Sequence, residues 1–327
     1  MIPTLFILTI LVFLAVRFLP GDTVDATVNR MQAYGAGIEI DRDAREAIMR
    51  YLGLDVPVHV QYGRWIGVLP TPDWVTGESH FKGLLHGTLG ESWTLGGFSI
   101  EEKIIGRLPV TIQLGAMAIV IGLVIALPVG IYSAIRQDTA TDYAGRTIAV
   151  IGLATPNFWL ALMVMIYPAI WWGWSPPLEL ISFTEDPLGN LGMFIIPSLI
   201  LGTAYSAAAM RLTRTAMLEV LRQDYIRTAW SKGLKERVVV MRHVLKNAFI
   251  PVVTLIGMQL PLLVGGSVII ENIFNLPGLG RLMLNALNDR DYPAVSGINL
   301  FFGTALMGIN LVIDLMYPFL DPRVRYR

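Results

Sequence analysis

Pro109-Val-Thr-Ile-Gln-Leu-Gly-Ala-Met-Ala-Ile-Val-Ile-Gly-Leu-Val-Ile-Ala-Leu-Pro-Val-Gly-Ile-Tyr-Ser-Ala-Ile135 runs for 27 residues without an acidic or basic side chain. A helix needs about 20 mostly apolar residues to cross a bilayer core, so this stretch predicts a membrane span, tilted or kinked to absorb its extra length. Five further stretches meet the same test: Ile2–Leu19, Thr147–Trp174, Met193–Met210, Phe249–Ile270 and Val295–Leu320. Pro128, Pro156, Pro168 and Pro261 fall inside spans and are expected to kink them. Gly122, Ala126 and Gly130 recur at spacing four, a face that lets another helix approach closely in ordinary bundle packing.

Composition says the same of the whole chain. Of its 327 residues, 54% are hydrophobic and only 15% charged, against about 25% charged in a soluble globular domain. Mean hydropathy is +0.57. The 25 basic and 25 acidic side chains cancel, which argues against nucleic acid as a partner. Cysteine is absent, and disulfides, thiolate metal sites and Cys nucleophiles go with it. The chain is expected to be an all-α integral membrane protein of six transmembrane helices, in contact with lipid.

Charge sets its orientation. With the N-terminus inside, the inner segments 136–146, 211–250 and 321–327 hold 14 basic and 6 acidic residues. The outer segments 21–108, 175–192 and 271–294 hold 10 basic and 18 acidic ones. That bias obeys the positive-inside rule and places both termini in the cytoplasm. Trp171, Trp172 and Trp174 then form an outer aromatic belt. Ile2–Leu19 lacks a basic leader, and Leu19-Pro20-Gly21-Asp22 is a poor cleavage site, so it is read as a retained helix rather than a signal peptide.

The chain therefore divides into a first span (1–20), an extracytoplasmic segment (21–108) and a core (109–327). In the extracytoplasmic segment, Ala44, Ala47, Ile48, Tyr51 and Leu52 follow helical spacing, with Asp41 as cap and Gly53 as stop. Val58, Tyr62, Trp65, Ile66 and Leu69 repeat it after Pro57. Residues beyond Pro70 read as loop, and Ile100, Ile104, Ile105 and Leu108 as a short helix leading into the second span. Such a mixed helical and loop segment fits either an extracytoplasmic cap or a cover over the bundle.

The inner segment 211–250 carries nine basic residues, with Gly233 between two helical patterns. Helix, break, helix is the expectation. The hairpin could present a short helix to a cytoplasmic partner, or be a solvated basic loop. No G-x-x-x-x-G-K-[ST], H-E-x-x-H or G-x-S-x-G is present. Gly278-Leu279-Gly280 reads as a turn, and His59, His80, His86 and His243 do not cluster as metal ligands would. Asp314, one turn after Asn310, is the only well-embedded acid, near the inner end of the last span. Gln113, Asn157 and Gln259 are uncharged polar residues within spans, and must face protein or water. They either hydrogen-bond between helices or line a neutral path.

Asp224-Tyr225-Ile226-Arg227-Thr228-Ala229-Trp230-Ser231-Lys232-Gly233-Leu234, followed by Arg242-His243-Val244-Leu245-Lys246-Asn247-Ala248-Phe249-Ile250-Pro251, resembles the cytoplasmic "EAA" loop of ABC-importer permeases of the peptide/nickel class. Arg227-Thr228-Ala229 stand at the Glu-Ala-Ala triplet, with Gly233 in register. Leu108-Pro109-Val110-Thr111, Thr155-Pro156-Asn157-Phe158-Trp159, Gly265-Gly266-Ser267 with Glu271, Pro277-Gly278-Leu279-Gly280-Arg281, Arg290-Asp291-Tyr292-Pro293 and Asp321-Pro322-Arg323 extend the likeness over essentially the whole chain. It is similar to the B-type permease of oligopeptide and dipeptide importers. Two departures stand out: no basic stretch precedes Ile2-Pro3-Thr4, and the usual Gly-Asp-Leu-Gly-x-Ser is His86-Gly87-Thr88-Leu89-Gly90-Glu91-Ser92.

The resemblance implies the type I ABC importer permease fold in a plasma or inner membrane. It implies a paralogous C-type permease, two cytoplasmic ATPase subunits and an extracytoplasmic substrate-binding protein as partners. ATP and magnesium would be bound by those partners, with no cofactor and no catalytic residue in this chain. Asp224, Tyr225, Ile226, Arg227, Thr228, Ala229, Lys232 and Gly233 would then couple to the ATPases. A secondary transporter would need ion-binding acids or broken half-helices near the midplane, and no central acid pair is present. A multi-span enzyme would need a convergent nucleophile and base or a metal set, and none is visible.

Overall fold

The computed structural model describes residues 2–18, 24–25, 27–28, 42–73, 78–94, 97–177 and 179–320, with backbone alone at 260–266 and 317–320. The expectations for Leu19 to Asp22, the Asp41 cap, Asp321 to Arg323, and the side chains of Pro261, Gly265 and Gly266 lie outside the described residues.

The chain divides into two units, Met1–Leu108 with Arg281–Ala305 and Pro109–Gly280 with Leu306–Arg327. The first opens with α1, Ile2–Arg17, and continues through two short helices, α2 (Arg42–Tyr51) and α3 (Val58–Ile66). A two-residue hairpin pairs β1, Thr71–Pro72, with β2, Ser79–His80, and a helical turn follows at Leu84–His86. The stretch beyond Pro70, read as loop, thus carries a minimal strand pair. Phe13 packs edge-on against Tyr62 with ring centres 5.2 Å apart, and the Tyr62 hydroxyl lies 2.9 Å from Thr9 Oγ1. These contacts hold α1 against α3.

In the second unit α4, Ile100–Ile135, is one helix of 36 residues whose first turns belong to the other unit. The expected short lead-in helix is continuous with the span, because proline's cost is a lost hydrogen bond and a local bend, which a long packed helix tolerates. α5 (Ala140–Ala154), α6 (Asn157–Trp172), α7 (Pro187–Leu221), α8 (Asp224–Ser231) and α9 (Leu245–Ile273) follow; of α10 (Leu279–Asn288) and α11 (Tyr292–Leu320), residues 281–305 belong to the first unit. A π-helical stretch, Val239–Val244, leads into α9.

Among the described residues four helices are long and apolar enough to cross a membrane, and α5 with α6 would make a fifth if the bent pair is one span. α1, at 16 residues, is a shorter apolar helix. The third expected span is corrected here: Pro156 does not kink it but breaks it, and α5 and α6 meet at 89°. Thr155 (φ −87, ψ 118) and Pro156 (φ −66, ψ 131) are both extended. Proline's ring pushes the preceding residue out of the helical region, so two successive residues leave the helix.

Packing in this unit is close. A Cβ on Gly122 would stand 2.9 Å from Gly202 O and one on Gly130 2.9 Å from Met210 O, so α4 and α7 touch backbone to backbone. Ala126 between them is fully buried with Ala207, Ala209 and Met210. A second cluster joins Leu114 and Ala118 of α4, Ala161 of α6, Phe194 and Leu201 of α7, Ile270 of α9 and Phe274 just after it.

Candidate functional site

Gln223 is extended, Asp224–Ser231 is helical, and Lys232 to Lys235 turn the chain into a second helical segment at Glu236. Gly233 stands at φ +74, with its amide donating to Trp230 O at 2.8 Å. Nothing lies within 4 Å of a Cβ built there, so backbone conformation rather than space calls for glycine. Ile226 and Ala229, three residues apart on one helix face, are buried among Ala134 of α4, Ala216 and Met217 of α7, and Val239, Val240 and Val244. Asn247 donates to Tyr225 Oη at 3.0 Å, a second tie to α9.

The opposite face is bare. Asp224, Tyr225, Arg227, Thr228, Lys232 and Gly233 are exposed, as are the large apolar Trp230, Leu234, Val238 and Met241. Arg227 Nη1 and Asp224 Oδ1 stand 3.5 Å apart in full solvent contact, a pair worth little. The eight residues expected to act together therefore form one short element, with Ile226 and Ala229 as its anchor and the other six outward.

Sequence reasoning missed what supports this element. Asp142, in the first turn of α5, is fully buried. It accepts from Arg214 of α7 through Nε at 2.9 Å and Nη2 at 3.0 Å. Arg146 donates through Nε at 3.0 Å and through Nη2, Ser133 of α4 donates its hydroxyl, and the Asp138 amide lies at 3.1 Å. Arg146, then Arg214 and Ser133, hold the Asp142 carboxyl well below the usual carboxylate range against the opposing effect of burial. Thr139 caps the helix with Oγ1 at 3.4 Å from the Asp142 amide. The cap and the Asp142–Arg146 spacing of four were legible signals. The bond to Arg214, 72 residues away, was not.

The three path candidates do not converge. Gln113 is half-buried and donates to Asn190 of α7, whose own Nδ2 donates to Ile181 O at 2.7 Å, which fits a bond between helices. Asn157 is the first residue of α6, half-buried just after the break. Gln259 lines a small open groove with Ile119, Gly122, Leu123, Tyr205, Ala209, Leu255 and Ile256. Elsewhere in this unit the buried Glu271 accepts from Thr111 Oγ1 at 2.8 Å and Ser267 Oγ at 2.9 Å, while Thr111 Oγ1 accepts from the Leu279 amide at 2.9 Å. That network explains the Thr111, Ser267 and Gly278-Leu279-Gly280 motifs as parts of one structural clasp. Asp314 is exposed on α11. Among the described residues, no three His, Asp or Glu side chains gather as a metal site.

A family model described as "Binding-protein-dependent transport system inner membrane component" matches residues 126–326. The chain is 39% identical over 325 residues to a putative peptide transport system permease protein of Brucella abortus, covering 99% of this chain and 96% of that one. It is 34% identical over 327 residues to the oligopeptide transport system permease protein AppB of Bacillus subtilis, covering 99% and 96%. It is 36% identical over 327 residues to the glutathione transport system permease protein GsiC of Salmonella paratyphi A, covering 100% and 96%. Among solved structures, a crystal structure of an amino acid ABC transporter with histidines superposes with a TM-score of 0.51 at 14% identity, over 66% of this chain and 93% of that one. That likeness is one of fold.

Proposed function

The chain belongs to the binding-protein-dependent transport system inner membrane components, and from that premise we propose that it is the B-type permease of an ATP-driven peptide importer. In this reading α1, α4 from Pro109, the bent stretch of α5 and α6 from Thr147, α7, α9 and α11 supply six spans of the type I fold, with both termini in the cytoplasm. Residues 21–108 lie outside the cell membrane. A paralogous C-type permease completes the pore, an extracytoplasmic binding protein delivers cargo, and two ATPase subunits bind ATP and magnesium.

The observation that carries this is the two-faced helix α8. Ile226 and Ala229 root it in α4, α7 and the stretch before α9, while Tyr225, Arg227, Trp230 and their neighbours are left facing outward. A chain without a P-loop needs its energy from a partner, and a rooted helix with a bare aromatic and charged face is built to receive it. Closure of the ATPases would move α8 as a rigid body and tip the spans between two states. Gln259, and with it Gln113 and Asn157, would line a neutral path for zwitterionic cargo, since a fixed charge would hold such a ligand too tightly. The names of the relatives favour peptides.

Co-purification tests the assembly. The permease should bring ATPase subunits with it and show cargo-stimulated ATP hydrolysis, and Gly233→Pro or deletion of 226–232 should abolish that stimulation while the permease still folds. Stimulation at the wild-type level in either variant sinks the coupling role. For orientation, a Cys at exposed Ser79 should react with an impermeant thiol reagent in intact cells, and one at exposed Ser231 only after permeabilisation. The native lack of Cys keeps that readout clean.

A further inference from the structure

The buried Asp142 cluster joins three helices rather than one. Asp142 and Arg146 belong to α5, Ser133 to the end of α4, and Arg214 to α7. Arg146 Nη2 also stands 3.5 Å from Asp138 Oδ1, so two acids and two guanidiniums balance within the cluster. Its neighbours in sequence form the seat of α8. Ala134 follows Ser133, and Ala216 and Met217 lie just beyond Arg214, all packed with Ile226 and Ala229. The apolar seat is non-directional and by itself lets helices slide. A guanidinium forked onto a carboxylate fixes both distance and angle.

We infer that Asp142 is a positioning residue for α8: through Arg214 and Ser133 it holds the ends of α4 and α7 in register, so that displacement of α8 reaches the spans instead of being lost as slippage. The inference rests on the reading of α8 as the coupling element. Arg214 bridges two helices, whereas Arg146 sits four residues from Asp142 on the same helix and neutralises without bridging. A merely electrostatic role makes the two arginines equivalent. A bridging role separates them.

The test reconstitutes the permease with its partner subunits and delivery protein in liposomes and measures peptide uptake and ATP hydrolysis together. The double variant Asp142→Asn/Arg214→Gln keeps the charges balanced and removes the bridge. It should assemble with all subunits, and uptake per ATP should fall about fivefold or more, while Arg146→Gln stays within about twofold of wild type. A wild-type ratio in the double variant, or an equal fall in Arg146→Gln, overturns the inference. Should the double variant not assemble, Arg214→Lys decides by the same ratio, because it retains the charge and loses the fork. Failure of the α8 reading looks different: the wild-type complex itself would show no cargo-stimulated hydrolysis.

Discussion

Asp142 and Asp291 are the same residue type, each fully buried, and each at the start of a helix, yet they are satisfied by opposite means. Around Asp142 stand two guanidiniums, one hydroxyl and one amide. Asp291, in the unit that holds Met1–Leu108, has neutral donors among the described residues. Ser92 and Thr94 give hydroxyls, Thr94 at 2.8 Å, and the amides of Trp93, Thr94 and Ala294 lie at 3.2–3.3 Å. Trp93 then lies 5.8 Å from the Tyr292 ring, centre to centre. Charge compensation locks helices to one another, and a shell of amides folds a loop around an acid. The first is stiff and costly to break; the second is local.

That contrast orders the expected effects. Asp142→Asn leaves the mostly buried Arg214 guanidinium without its carboxylate and should lower stability by about 3–5 kcal/mol, whereas Asp291→Asn keeps one carbonyl acceptor and should cost about 1 kcal/mol. Thermal unfolding in detergent measures both, and equal shifts would break the comparison.

Acid sharpens it. The Asp142 carboxyl is depressed below its ordinary value of 3.8 in the folded state, so its contribution is fully present above that value and is lost as pH falls through the folded one. The difference in melting temperature between wild type and Asp142→Asn should stay flat from about pH 8 to pH 5 and shrink only below about pH 4. A difference that fades above pH 5 would mean the carboxylate is not held by the two arginines.

Single hydroxyls probe the two shells more finely. Ser92→Ala removes one of a few neutral donors and should cost about 1 kcal/mol, and Ser133→Ala less, because two guanidiniums still saturate Asp142. The reverse order of melting shifts would contradict the division of labour.

The smallest effect on stability belongs to the amides, where the readout is transport. Gln259→Leu should leave the melting temperature within about 1 °C and lower uptake, since Gln259 borders the groove. Gln113→Leu leaves Asn190 without its donor and should destabilise first. If Gln259→Leu transports normally, the groove is packing and the path lies elsewhere.

Much of the molecule could be read from residues alone, for reasons that differ by region. The spans declare themselves because hydrocarbon admits no unpaired backbone and few charges, so apolar length is enough. Gly122, Ala126 and Gly130 read as a packing face, and they pack. The break at Gly233 was legible because one residue must turn the chain with positive φ. Pro156 was read as a kink, since local rules say that proline disturbs a helix but not by how much.

The amino-acid sequence by itself determined the solvent of this protein, the position of its long apolar helices, and the break at Gly233 that ends a short helix. These follow from periodicity and transfer energy, which act over a few residues. Only the tertiary structure decided which charges meet. Asp142 and Arg214 are separated by 72 residues that carry no trace of their pairing, and in the linear chain Asp142 was merely one acid among the inner-segment charges. Their contact exists because α5 packs along α7, where a Cβ built on Gly152 would meet Ala207 and Thr203. Once that approach excludes water, a carboxylate left between them must find its counter-charges within hydrogen-bonding reach.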